Sequence, residues 1–90
     1  MDEISDRVKA FILTEYLPGE NPEALTGSTP LISGGILDSI GTLKLVAFLE
    51  DTWGIEVQPV EVDVDYLNTV GTIAELVTAK LAALSRPLGT

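Results

Sequence analysis

Between Pro18 and Gly35 the chain carries so many turn-forming residues that no regular element can run through it, and this interruption limits the architecture of everything around it. Pro18-Gly19 opens the stretch, and from Glu20 to Gly35 come Asn21, Pro22, Gly27, Ser28, Thr29, Pro30, Ser33, Gly34 and Gly35. A loop of this length is uncommon in a small domain and needs apolar anchors of its own, for which Leu25, Leu31 and Ile32 are the candidates. On its N-terminal side Ile4, Val8, Phe11, Ile12 and Leu17 recur at helical spacing, with Asp2, Glu3 and Asp6 in the opening turn where the helix dipole favours negative charge. That spacing predicts a helix ending at about Tyr16 or Leu17.

Beyond the loop a second helix is expected to start at Asp38 or Ser39, with Asp38 as a good N-cap, and to stop at Gly54 after Trp53. Leu45, Val46, Leu49 and Trp53 fall on one face of it, the core side, and Ile40, Lys44, Ala47 and Asp51 on another. A last helix opens near Thr69 or Thr72, with Thr72-x-x-Glu75 as a capping box. It runs through Val70, Ile73, Val77, Leu81 and Leu84 until Arg86-Pro87 closes it. Between these two, Val60, Val62, Val64 and Tyr66 alternate with acidic residues in the period of a strand. A lone strand would leave its backbone groups unpaired, so the expectation is an extended lead-in followed by a short helical turn over Asp63 to Leu67. The expected fold is an all-α bundle.

Ninety residues suffice for one domain, here 1–90 with its core over about 4–84 and a tail at 85–90; two domains would leave neither half a core. A chain this short has no volume for a deep catalytic cavity, which excludes a self-sufficient large enzyme. Cysteine and histidine are both absent, which removes disulfides, thiolate zinc sites and the commonest general base. Fourteen Asp and Glu against five Lys and Arg give a formal charge of −9, a field that repels nucleic acid and anionic membrane and favours partners with basic patches. No apolar run approaches the roughly 20 residues that span a bilayer. The opening Met1-Asp2-Glu3-Ile4-Ser5-Asp6 is acidic where a targeting segment is basic, so a cytoplasmic location is expected.

The stretch Gly34-Gly35-Ile36-Leu37-Asp38-Ser39-Ile40 sets a hydroxyl in the first turn of a helix behind a glycine-rich loop. Free amides and the positive end of the helix dipole suit an anion attached to Ser39. On spacing alone, though, an Asp-Ser pair before a helical run is an ordinary cap, and the residues by themselves favour that reading. Ser39 as a hydrolytic nucleophile fails for want of a base, so no catalytic residue is assigned. Between Leu45 and Ala79 lie Glu50, Asp51, Glu56, Glu61, Asp63, Asp65 and Glu75 without a Lys or Arg, a solvated surface or a face that steers basic partners. Asp63-x-Asp65 lacks the length and the glycine of an EF-hand loop, and no metal site is expected. Trp53 is assigned to packing rather than to stacking on a ligand. Lys44 has either Asp51 or a partner to pair with.

Thr29-Pro30-Leu31, then Gly35-Ile36-Leu37-Asp38-Ser39-Ile40, then the helix ending Trp53-Gly54-Ile55-Glu56-Val57 resemble the acyl carrier protein superfamily over roughly residues 4 to 84. The resemblance implies a small four-helix bundle with three longer helices, a short third helix and a long loop between the first two. It implies that a phosphopantetheinyl transferase attaches 4′-phosphopantetheine from coenzyme A to Ser39 through a phosphodiester, with Asp38 as motif neighbour and helix cap. It further implies a monomeric, non-catalytic carrier that docks partners through Ile40, Lys44, Ala47 and Asp51. Those partners are an adenylating or aminoacylating ligase or an acyltransferase, and downstream acyl-processing enzymes. Fatty-acid carriers usually follow Asp-Ser-Leu with several acids, whereas here come Ile40, Gly41, Thr42 and Lys44. The run is more similar to discrete aminoacyl and peptidyl carriers, so an amino-acid cargo is expected ahead of a fatty-acyl or polyketide one. From a different class stands an unmodified acidic helical interaction module in which Ser39 only caps.

Overall fold

The computed structural model describes residues 3–84, and among them it contains helices and turns and no strand. Helix α1 spans Glu3–Tyr16, α2 spans Ser39–Trp53, α3 spans Val64–Leu67 and α4 spans Val70–Leu84. Single 3-10 turns at Pro22–Ala24 and Pro59–Glu61 interrupt the connections. The expected positions of Asp2, of Arg86-Pro87 and of the tail at 85–90 lie outside the described residues.

Each boundary has a local cause. α1 ends where Leu17-Pro18-Gly19-Glu20 makes a turn closed by the Glu20 amide on the Leu17 carbonyl at 3.1 Å; Gly19 takes φ +85°, where a side chain would be strained. α2 ends at Gly54, whose left-handed conformation lets its amide return to the Glu50 carbonyl at 2.9 Å. The strand-like alternation over Val60 to Tyr66 resolves into helix. Asp63 is extended at φ −155° and its carboxylate accepts from the Val64 amide at 2.7 Å, which starts α3 where the backbone argument put it. The 3-10 turn before it was not foreseen.

One expectation about α4 is corrected. Helical residues begin at Val70, so the cap is Thr69 and not Thr72: the Thr72 amide donates to Thr69 Oγ1 at 3.0 Å. Thr72 Oγ1 in turn accepts from the Thr69 amide at 3.2 Å, so the reciprocal box lies three residues earlier than Thr72-x-x-Glu75.

Val8 and Ile12 of α1, Leu45 and Leu49 of α2, Leu67 of α3, and Val70, Ile73 and Val77 of α4 meet in one core, closed to solvent. The long loop contributes fully buried anchors to it, Leu25 and Leu31, with Leu37 nearly so and Ile32 packed at its edge. Its backbone is tied down at two places. The Gly71 amide, an orphan of the first turn of α4, donates to the Gly27 carbonyl at 2.9 Å, an approach that a side chain on Gly71 would crowd. Asn68, between α3 and α4, accepts on Oδ1 from the Ile32 and Ser33 amides at 2.8 and 2.9 Å, accepts on its carbonyl from the Leu31 amide at 2.6 Å, and donates to Ser33 Oγ at 3.1 Å.

Two substitutions test this account. Leu49→Ala should cost about 2–5 kcal/mol in denaturant unfolding, because it opens a cavity in a sealed core. Asn68→Ala removes the side-chain acceptor and keeps the backbone carbonyl that Leu31 uses, so it should cost about 1–3 kcal/mol and release the Ile32 and Ser33 amides to hydrogen exchange ahead of the helices.

Candidate functional site

Ser39 is the first helical residue of α2, and the turn that presents it is built from both sides. Upstream, the Leu37 amide donates to the Leu31 carbonyl at 2.9 Å and the Gly35 amide to the Ile32 carbonyl at 3.1 Å, which folds residues 31–37 into a compact knot. Gly35 has φ +83°, and a side chain on Gly34 would collide with the Pro30 carbonyl, so the glycine pair is required by the path of the chain. Downstream, the Asp38 carboxylate accepts from the Gly41 amide at 2.6 Å, and the Asp38 carbonyl accepts from both the amide and the hydroxyl of Thr42 at 2.8 Å. Asp38 is therefore the cap, and the Ser39 side chain has no part in capping.

The Ser39 hydroxyl is exposed, and among the described residues neither it nor the Ser39 and Ile40 amides enter a hydrogen bond. An open groove of about 340 Å³ begins beside it, with Ser39, Thr42 and Leu43 of α2 on one side, Val62, Asp63 and Val64 at the start of α3 on the other, and Ile32 from the loop. The first turn of a 15-residue helix thus offers a hydroxyl, two uncommitted donors and an adjoining groove of mixed apolar and polar lining.

Ile40, Lys44, Ala47 and Asp51 are all exposed and follow one another along a single face of α2 at helical spacing. Leu43 belongs to the same face and was missed; at 60% exposure beside Ile40 at 66%, it makes the first two turns apolar. Its i+3 spacing from Ile40 was the available signal. Lys44 forms no ion pair among the described residues. Trp53 is half-buried against Phe48, with ring centroids 5.8 Å apart and an interplanar angle of 82°, as a packing residue should be.

Tyr16, the last residue of α1, also escaped sequence reasoning. Its hydroxyl donates to the Gly41 carbonyl at 3.2 Å, and a side chain on Gly41 would lie 3.2 Å from its ring. A glycine near the start of a helix, costing about 1 kcal/mol against alanine, was the one hint of a close neighbour. Burial, then the charges of Glu15 and Asp38, push the Tyr16 phenol above its usual 10.0, so it remains a donor.

The acidic run between Leu45 and Ala79 is less uniform than a solvated face. Glu50 is half-buried and accepts from the Val57 amide at 2.9 Å, which closes the chain reversal after α2. Asp63 caps α3. Glu61 pairs with Lys80 at 2.6 Å and accepts from the Gln58 amide at 2.8 Å, so a cation just past the run neutralises part of it. Asp51, Glu56, Asp65 and Glu75 remain exposed. No helix of the described residues is long and apolar enough to cross a membrane.

No protein-family model and no curated protein sequence matches the chain.

The Lys80 hydrogen bond, with the Gln58 amide second, holds the Glu61 carboxyl below the usual carboxylate range. A depressed native pKa gives stability that is present above the unfolded-state value and is lost as pH falls through the native one. Glu61→Gln should therefore be less stable than the parent at neutral pH, by on the order of 1 kcal/mol. The gap should close as pH drops below the usual carboxylate value; unfolding curves across that range that kept a constant gap would refute the assignment.

Proposed function

We propose that the chain is a carrier: Ser39 is the attachment point for 4′-phosphopantetheine, and the protein presents the attached cargo to partner enzymes while catalysing nothing itself. The observation that carries this reading is the set of groups at the start of α2, an exposed Ser39 hydroxyl beside two uncommitted amides and a groove. The residues fit the group. The Ser39 oxygen would form the new P–O bond as the pyrophosphate P–O bond of coenzyme A breaks and adenosine 3′,5′-bisphosphate leaves; the Ser39 and Ile40 amides can donate to the non-bridging oxygens of the phosphodiester, and Asp38 keeps the turn in shape through Gly41 and Thr42. The Asp38 carboxylate is committed to the Gly41 amide and the chain has no histidine, so removal of the Ser39 proton falls to the transferase. When bound, the arm supplies a thiol for thioester linkage, which a chain without cysteine cannot provide.

The four-helix arrangement, with a short third helix and a long loop between the first two, is the one expected of an acyl-carrier-type bundle. Ile40, Lys44, Ala47 and Asp51, joined by Leu43, form the docking face for the transferase, for an adenylating ligase or acyltransferase, and for downstream acyl-processing enzymes. That face is apolar with one cation in its first turns, unlike the acid-rich face of fatty-acid carriers, and this supports an aminoacyl cargo over a fatty-acyl or polyketide one.

Intact mass before and after treatment with coenzyme A and a broad-specificity phosphopantetheinyl transferase tests the reading. The chain should gain one phosphopantetheinyl group and Ser39→Ala none, while Ser39→Ala changes stability by no more than about 0.5 kcal/mol because Ser39 is not the cap. No gain, under conditions that modify a control carrier, would leave an unmodified acidic interaction module as the better account.

A further inference from the structure

The start of α2 is held by more than its own cap. Gly41 is gripped at both polar groups: its amide donates to Asp38 Oδ1 at 2.6 Å, and its carbonyl accepts from the Tyr16 hydroxyl at 3.2 Å, across 25 positions of sequence. A Cβ at Gly41 would stand 3.0 Å from Asp38 Oδ1 and 3.2 Å from Tyr16 Cε1, so the missing side chain is what lets ring and carboxylate close on the same residue. Tyr16 is itself braced. It meets the Phe11 ring edge-on at 6.1 Å and 72°, and Phe11 stacks on Phe48 of α2 at 4.3 Å and 12°. An aromatic chain from α1 thereby reaches α2 at its first turn and again in its later half.

We propose that Tyr16 is a positioning residue for Ser39: by holding Gly41, and through it Asp38, it fixes the first turn of α2 so that the Ser39 hydroxyl is presented in one orientation for modification. Tyr16 does not touch Ser39 and acts only through its neighbours. The ring contact carries most of the effect and the hydroxyl less, because the hydrogen bond is long and Gly41 packs closely on the ring carbons next to it. The proposal rests on the carrier reading for its kinetic consequence and on geometry alone for its structural one.

Rates of phosphopantetheinyl transfer from coenzyme A, with the chain as varied substrate, are to be compared for the parent, Tyr16→Leu, Tyr16→Phe and Gly41→Ala. Thermal melts and amide exchange at Gly41 and Thr42, the two amides that Asp38 holds, accompany them. Tyr16→Leu should lower kcat about tenfold with little change in KM, because a misdirected acceptor still docks but reacts slowly. Tyr16→Phe, which keeps the ring, should restore kcat to within about threefold of the parent. Gly41→Ala separates positioning from stability: helix propensity alone would stabilise it and leave transfer untouched, whereas displacement of the Tyr16 ring should slow transfer and speed exchange at Thr42, whose amide is held by the Asp38 carbonyl. Folded Tyr16→Leu and Gly41→Ala proteins modified at the parent rate would overturn the proposal. So would unchanged exchange at both amides in Tyr16→Leu, or in Gly41→Ala should the first variant not fold. A parent chain that accepts no group at all would instead remove the carrier reading, and the exchange data would still decide whether Tyr16 holds the turn.

Discussion

Four hydrogen bonds between Asn68 and three consecutive residues, Leu31, Ile32 and Ser33, are the tie on which the arrangement around Ser39 depends. A loop as long as that between α1 and α2 costs conformational entropy to order, and its backbone groups have no ladder in which to pair. Leu31 can be buried only if its amide is satisfied on the way in, and the Asn68 carbonyl does this at 2.6 Å. Once Leu31 is seated, its carbonyl receives the Leu37 amide, and the five-residue excursion between them delivers Asp38 to the start of α2. The same residue therefore joins the α3–α4 corner to the loop wall of the groove beside Ser39, since Ile32 belongs to both.

Charge is distributed by a similar economy of position. The net charge of −9 suggests an acidic surface throughout, yet several carboxylates are consumed by local structure: Asp38 and Asp63 cap helices, Glu50 and Glu61 close turns. The exposed face of α2 is left with Ile40, Leu43, Lys44 and Ala47 before Asp51 is reached. A partner drawn in by the long-range field of the whole chain would thus meet a contact surface of different character. Field acts mainly on the rate of encounter, and desolvated apolar contact acts on residence time, so the two properties can be set independently.

What could be read in the sequence was whatever is local. The faces of α1, α2 and α4 follow from spacing, the ends of α2 from Asp38 and Gly54, and α3 from the argument that a single strand has nothing to pair with. Leu25, Leu31 and Ile32 were recognisable as anchors because apolar residues in a polar loop need a reason. The ties that hold these pieces in register were not legible. Asn68 with Ile32 and Ser33, Gly27 with Gly71, and Tyr16 with Gly41 join residues far apart in the chain, and such pairs leave no periodic trace. The misplaced box at α4 has a related cause: Thr69 and Thr72 are both competent caps, and only the packing of Val70 into the core decides which one starts the helix. For the site, the position of Ser39 was legible and its surroundings were not.

The freedom of Ser39 is itself informative, because several hydroxyls of the preceding loop and of the first turn of α2 are already engaged. Thr42 Oγ1 is buried on the Asp38 carbonyl, Ser33 Oγ is held by Asn68, and Thr26, Ser28 and Thr29 bond among themselves. A bulky group added to any of these would break a contact that shapes the loop or the cap. At Ser39 it would break none, because Asp38 and Gly41 maintain the turn without it. A fold that leaves the Ser39 hydroxyl idle, between a committed cap and a groove, can be modified there at little cost to its stability, and this separation of holding from presenting is what the proposed carrier role would require.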